Sequence, residues 1–138
     1  MIPVRRERAA DLPAAFDQVR RVLDDGGVVG IFPEGTRSGD GMLHRGLSGA
    51  AHLALTTGAP VVPVGIVGTH EILPTGARLV RPFHRAALRP GEPISPAALG
   101  FTRSTNRARR ELTDTMMREI GRLSGQEYVD DFAEIPGT

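Results

Sequence analysis

Two short apolar runs, VVGIF at Val28–Phe32 and VVPVGIV at Val61–Val67, limit what this chain can fold into more than any other feature. Both are rich in β-branched residues and bounded by glycine or proline, the pattern of buried strands. Pro63 demotes the start of the second run to an edge or an irregular stretch, because proline cannot donate to a ladder. Between the runs, Ser48 opens a segment carrying Ala51, Leu53, Ala54 and Leu55 that Gly58 closes, as at the end of a helix. Strand, helix, strand in that order predicts a parallel βαβ unit with a right-handed crossover.

Helices are expected on either side of this unit. Asp11 is placed to cap a first one, in which Leu12, Ala15, Phe16, Val19, Val22 and Leu23 recur at helical spacing until Gly26 and Gly27. Ser104 or Thr105 is placed to cap a last one, with Ala108, Leu112, Met116, Ile120 and Leu123 in a single apolar stripe suited to packing on the sheet. Between residues 69 and 100 five prolines leave only RAAL (residues 85–88) and EPI (residues 92–94) as short strands. A tail from about residue 124 gathers four carboxylates without a basic residue, and is expected to fray or to pack through Tyr128 and Phe132. With 138 residues, 40% hydrophobic and 24% charged, the chain has material for one core and therefore one domain, residues 1–138. The expected class is α/β, a βαβ-containing sheet flanked by helices.

Charge and composition remove several functions. Seventeen basic residues against 16 acidic ones leave a net charge of +1, so no global field recommends a nucleic acid as partner. All the basic residues are arginine, whose planar fork suits phosphate or carboxylate where it is buried. The absence of cysteine excludes disulfides, thiolate nucleophiles and Cys-based zinc sites. The longest apolar run, Ala59–Val67, is far short of the roughly 20 residues of a membrane span. The opening MIPVRRERAAD lacks the apolar centre of a signal peptide. The expectation is a chain that is cytoplasmic or lies against a membrane.

The first apolar run leads into FPEGTRSGDG. Gly35 allows positive φ or a close backbone approach to a ligand, and exposed amides in such a turn form an anion-binding concavity. Arg37 offers a fork to phosphate oxygens. Glu34 would repel phosphate by itself. It fits if it orients Arg37, or if it accepts from a hydroxyl of the same ligand. Together these residues point to a small phosphorylated polyol. The competing reading is a tight connection with a surface Glu–Arg pair worth less than about 1 kcal/mol.

FPEGTRS, followed by MLHRGLSGAAHLALTTGAPVVPVGIVGTHEI, resembles the glycerol-phosphate and lysophosphatidate acyltransferases. The third signature block of that family reads Phe-Pro-Glu-Gly-Thr-Arg, matched from Phe32 to Arg37, and the spacing to VPV at Val62–Val64 fits its fourth block. MIPVRRER resembles the end of the second block, with Arg6 in the arginine position. The resemblance implies a partial glycerolphosphate acyltransferase-like fold. It also implies that Arg6 and Arg37 clamp the acceptor's phosphate, with Glu34, Gly35 and Thr36 at the same acceptor site. The implied reaction is acyl transfer from acyl-CoA or acyl-carrier protein to the free hydroxyl of a lysophospholipid acceptor, a step of phospholipid biosynthesis leading to phosphatidic acid. No metal or organic cofactor is implied, and lipid substrates imply peripheral contact with the cytoplasmic membrane.

The family's first block is a histidine followed by four residues and an aspartate, the histidine serving as general base on the acceptor hydroxyl. The residues five positions after His44, His52, His70 and His84 are Gly49, Thr57, Thr75 and Arg89, so no catalytic residue is assigned within residues 1–138. His44, before Arg45 and Gly46, is a weak candidate for a substitute base near the anion. His52 reads as a satisfied core or rim histidine, and His70 and Glu71 as a solvated loop in preference to a pocket lining. The first block is therefore expected upstream of residue 1. The alternative is a non-catalytic phospholipid or phosphate-ester binding module that keeps the phosphate site without the base.

Overall fold

A computed structural model describes residues 12–74, 77 and 79–134. Helix α1 (Leu12–Asp24) comes first, followed by strand β1 (Leu43–His44), helix α2 (Gly49–Thr57) and strand β2 (Val64–Val67). The one-turn helix α3 (Thr69–Ile72), strand β3 (Ala87–Pro90), helix α4 (Asn106–Ser124) and strand β4 (Tyr128–Val129) complete it.

The helices stand where the periodicity puts them. α1 ends as the glycine pair requires, Gly26 adopting φ +77 while Gly27 N donates to the Val22 carbonyl at 2.8 Å. α2 starts after Ser48, whose side chain makes no cap bond, and ends at Gly58. Thr105, of the two candidates, caps α4 by accepting from Ala108 N at 3.1 Å. The proposed cap at Asp11 lies outside the described residues.

α4 is the spine of the core. Ala108, Leu112, Met116 and Met117 are buried along it, and Leu112 and Met116 meet Ala51 and Ala54 of α2. It also packs against β2, a contact made close by Gly65. A Cβ there would lie 2.5 Å from the Ser124 backbone nitrogen, so only glycine lets the strand lie against the helix end. Phe16 of α1 packs edge-on against His52 of α2, with ring centroids 5.6 Å apart.

The mixed α/β class holds, but the sheet differs from the expected one. Val28–Phe32 is not a strand: Val28 is 94% and Phe32 74% exposed, and no neighbouring strand pairs with this run among the described residues. β-Propensity describes fitness for a pleated, half-buried surface and does not supply the partner row that a strand needs. The expected βαβ unit with its crossover is therefore absent from the described residues. β2 instead pairs antiparallel with β3, Val64 opposite Pro90 and Val67 opposite Ala87. Pro63 acts as expected, since regular pairing starts only at Val64 and Val61 forms a single bridge to Ile94. RAAL and EPI correspond to β3 and to that bridge.

The acidic tail packs rather than frays over residues 126–132. β4 pairs parallel with β1, Leu43 opposite Tyr128 and His44 opposite Val129. Leu43 N donates to Glu127 O and Arg45 N to Asp131 O, each at 2.8 Å. Gln126 Nε2 donates to Gly41 O at 2.8 Å. The carboxylates face outward while their backbone closes the sheet.

Candidate functional site

The FPEGTR segment forms a tight turn held against β1. Gly35 N donates to Phe32 O at 3.1 Å, and Gly35 sits at φ +72, a conformation that side chains disfavour. A Cβ at this position would come within 2.6 Å of Leu47 Cδ1. Leu47 N in turn donates to Pro33 O at 2.7 Å, so the segment after β1 is tied to the turn just before Gly35.

Glu34 points back into this junction. Its Oε2 accepts from the backbone N–H of His44 at 2.9 Å, and no ion pair forms between Glu34 and Arg37. Partial burial raises the Glu34 pKa, opposed by the His44 amide bond and by the charge of the His44 ring. Arg37 is exposed and makes no hydrogen bond or ion pair among the described residues. Thr36 is half-buried beside it. Arg6 lies outside the described residues, and so does its proposed convergence with Arg37.

A second carboxylate completes the arrangement. His44 Nε2 lies 3.1 Å from Asp40 Oδ1 and 3.2 Å from Oδ2. Asp40 also accepts from Met42 N at 3.0 Å and from Ser38 Oγ at 2.9 Å. These bonds, with the Met42 amide the largest cause, lower its pKa to about 2. An ionised carboxylate can only accept, so Nε2 carries the proton. The bond to Asp40 raises the His44 pKa, with partial desolvation opposing it. Nδ1 is buried and has no partner among the described residues. Neither ring nitrogen is therefore presented to a substrate in this arrangement: one is engaged and the other enclosed.

In this pair the aspartate precedes the histidine by four residues, the reverse order of the His-x-x-x-x-Asp block. An Asp-x-x-x-His spacing across a glycine turn was the available signal. Sequence also missed the cleft of about 260 Å³ beside Leu47, where Arg45, Arg109 and Arg110 meet Ser48, Asn106 and Phe132. The Arg45 guanidinium lies 5.3 Å from the Phe132 ring centroid, and Arg109 Nε is buried without a partner among the described residues. The helical stripe had placed the α4 arginines outward. Of the other histidines, His52 Nδ1 bonds Ser104 Oγ at 3.0 Å, the exposed His84 has Nδ1 3.6 Å from Glu71 Oε2, and His70 and Glu71 stand on α3 rather than in a loop.

The Gly35 turn thus presents an arginine with no partner among the described residues, braced by the anchored Glu34 on a mixed α/β frame. Residues 1–67 match the Acyltransferase family. A chloroplastic 1-acyl-sn-glycerol-3-phosphate acyltransferase of Brassica napus is 38% identical over 77 residues, 56% of this chain and 22% of that protein. A 1-acyl-sn-glycerol-3-phosphate acyltransferase of Limnanthes alba is 40% identical over 78 residues, 28% of its length. The solved structure of the 1-acyl-sn-glycerophosphate acyltransferase PlsC from Thermotoga maritima aligns with a TM-score of 0.65 and 31% identity, over 81% of this chain and 45% of that one. Over these matched stretches the chain resembles the lysophosphatidate acyltransferases. Its matched stretch spans less than half the length of each of these relatives. Among the described residues no helix is long and apolar enough to cross a membrane.

Proposed function

We propose that residues 1–138 are a single partial acyltransferase domain that supplies the acceptor-phosphate site. The reaction moves an acyl group from acyl-CoA or acyl-carrier protein to the free hydroxyl of a lysophosphatidate-like acceptor. The acceptor oxygen attacks the thioester carbonyl, the carbon–sulfur bond breaks, and the thiol leaves as the hydroxyl proton passes to a base. Arg37 takes the acceptor phosphate through its fork, joined by Arg6. The Gly35 turn lets the backbone approach the ligand, with Thr36 beside it. Glu34 fixes the turn through the His44 amide.

The observation that carries this reading is an exposed Arg37, without a partner among the described residues, on a turn anchored through Pro33 and Glu34 within a matched signature block. His44 is assigned a positioning role, because Asp40 holds Nε2 and Nδ1 is enclosed. The base is a histidine of the His-x-x-x-x-Asp block, which residues 1–138 do not contain. Positioned general-base catalysis contributes about 10²–10⁴ in rate. Residues 1–138 should therefore bind lysophosphatidate yet transfer acyl groups negligibly, whereas a version extended to include that block should turn over. The engaged and enclosed His44 ring also fits the second reading, a binding module without turnover. An inactive extended version that still binds acceptor would select the module. Robust transfer by residues 1–138, abolished by His44→Ala, would refute both and make His44 the base.

A further inference from the structure

Residues 79–90 are all exposed, and Leu79, Val80, Phe83 and Leu88 among them are large hydrophobic side chains facing solvent. At their tip Leu79 is 82% exposed and Phe83 fully so, with Val80 and Pro82 between them also facing solvent. Phe83 sits at φ +68 and is the one non-glycine residue with positive φ among those described. A bulky side chain in this region is rare and persists only where its surroundings hold it.

Those surroundings are visible. Arg81 N donates to Ile72 O at 2.8 Å, so the tip is fastened to the end of α3. On the far side the Arg85 carbonyl lies so close to Gly68 that a Cβ there would collide with it. His84 approaches Glu71 on the same helix. The loop is thus fastened on both sides of Phe83, which leaves the ring projecting from a fixed base. Its charge has one sign: Arg81 and Arg85 flank the tip, and no carboxylate occurs from Ile72 to Gly91.

We propose that the 79–85 tip is a membrane-docking element whose partner is the surface of an anionic lipid bilayer. Exposed aliphatic and aromatic side chains flanked by arginines match the two layers of that surface, acyl chains below and negatively charged headgroups above. The tip is also coupled to the candidate acceptor site. α3 carries it at one end, and at the other its His70 ring packs against Gly41 in the turn that holds Asp40 and His44, 3.8 Å from where a Cβ would be. Docking here would hold the signature turn near the layer from which a lipid acceptor arrives. This inference rests on the lipid-acceptor reading above.

The chain contains no tryptophan, so Phe83→Trp gives a probe without background. Because Phe83 is fully exposed, the variant should keep the far-ultraviolet circular dichroism of the parent. Its emission should shift to the blue on vesicles of phosphatidylcholine with phosphatidylglycerol, and less on phosphatidylcholine alone. Arg81→Ala and Arg85→Ala should each lower partitioning about fivefold, the loss expected for one arginine near an anionic surface. Phe32→Trp, on the other exposed apolar run, should not move. The proposal fails if Phe83→Trp shows no shift, or if Phe32→Trp shifts equally. It fails too if the shift appears without vesicles as protein concentration rises, which would mean that a second copy covers the tip. Binding of monomeric short-chain lysophosphatidate without vesicles, and its loss in Arg37→Ala, reads the acceptor assignment separately.

Discussion

The His44 amide donates to Glu34 Oε2 at 2.9 Å, joining the middle of the signature turn to a strand ten residues further along. This bond determines what Glu34 can do. A glutamate that orients Arg37 would have to lie beside it, whereas this one faces β1 and leaves the arginine to solvent. His44 holds the turn through its backbone and Asp40 through its ring, so one residue couples both carboxylates.

Removing that acceptor should loosen the turn. Glu34→Ala leaves a partly buried N–H without its partner and should cost about 1 kcal/mol in urea unfolding. Glu34→Gln keeps a carbonyl oxygen at the same reach and should recover most of it. Equal losses in both variants would show that the charge matters and the bond does not.

Arg37→Ala should act on binding without touching the fold. An exposed side chain with no partner among the described residues contributes little to stability, so the melting temperature should stay within a degree or two. A charge-assisted contact is worth about 1.5–3 kcal/mol, so affinity for lysophosphatidate should fall roughly 10- to 100-fold by calorimetry. Unchanged affinity would remove Arg37 from the acceptor site.

The Asp40–His44 pair should appear as a pH window. Asp40 is lowered from 3.8 to about 2, so its contribution is full above the ordinary value and is lost as pH falls toward 2. His44 is raised above 6.5, so its contribution is full below that value and is lost as pH rises through the raised one. The stability difference between the parent and Asp40→Asn should therefore be largest from about pH 4 to 6.5 and shrink on both sides. Proton NMR of the His44 ring should give a midpoint above 6.5 that falls in Asp40→Asn. A midpoint that does not move would separate the two residues.

Two substitutions test the core. Leu112, fully buried between α4 and α2, should cost about 2–5 kcal/mol when cut to alanine. Gly65→Ala should destabilise by about 1–3 kcal/mol although it adds only a methyl group, because the obstruction is the Ser124 backbone. A neutral Gly65→Ala would mean that β2 and α4 are further apart than described.

Local chemistry was sufficient for the helices. Capping residues, apolar spacing and terminal glycines act within a turn or two, so α1, α2 and α4 could be bounded from Gly26, Gly58 and Thr105 alone. The signature turn was legible for the same reason, since Gly35 and its neighbours carry their constraint in their own backbone. Strand pairing could not be read this way. Val28–Phe32 and Val61–Val67 have equally suitable side chains, but among the described residues the second run meets partners and the first does not, and a ladder needs the opposite row whatever the propensity of its own residues. Only the tertiary structure decided that Glu34 anchors to His44 and that Arg45 and Arg109 share a cleft. These depend on how far apart separated segments come to rest, which is set by the packing of α4 against α2 and β2 and is not encoded in any one of them.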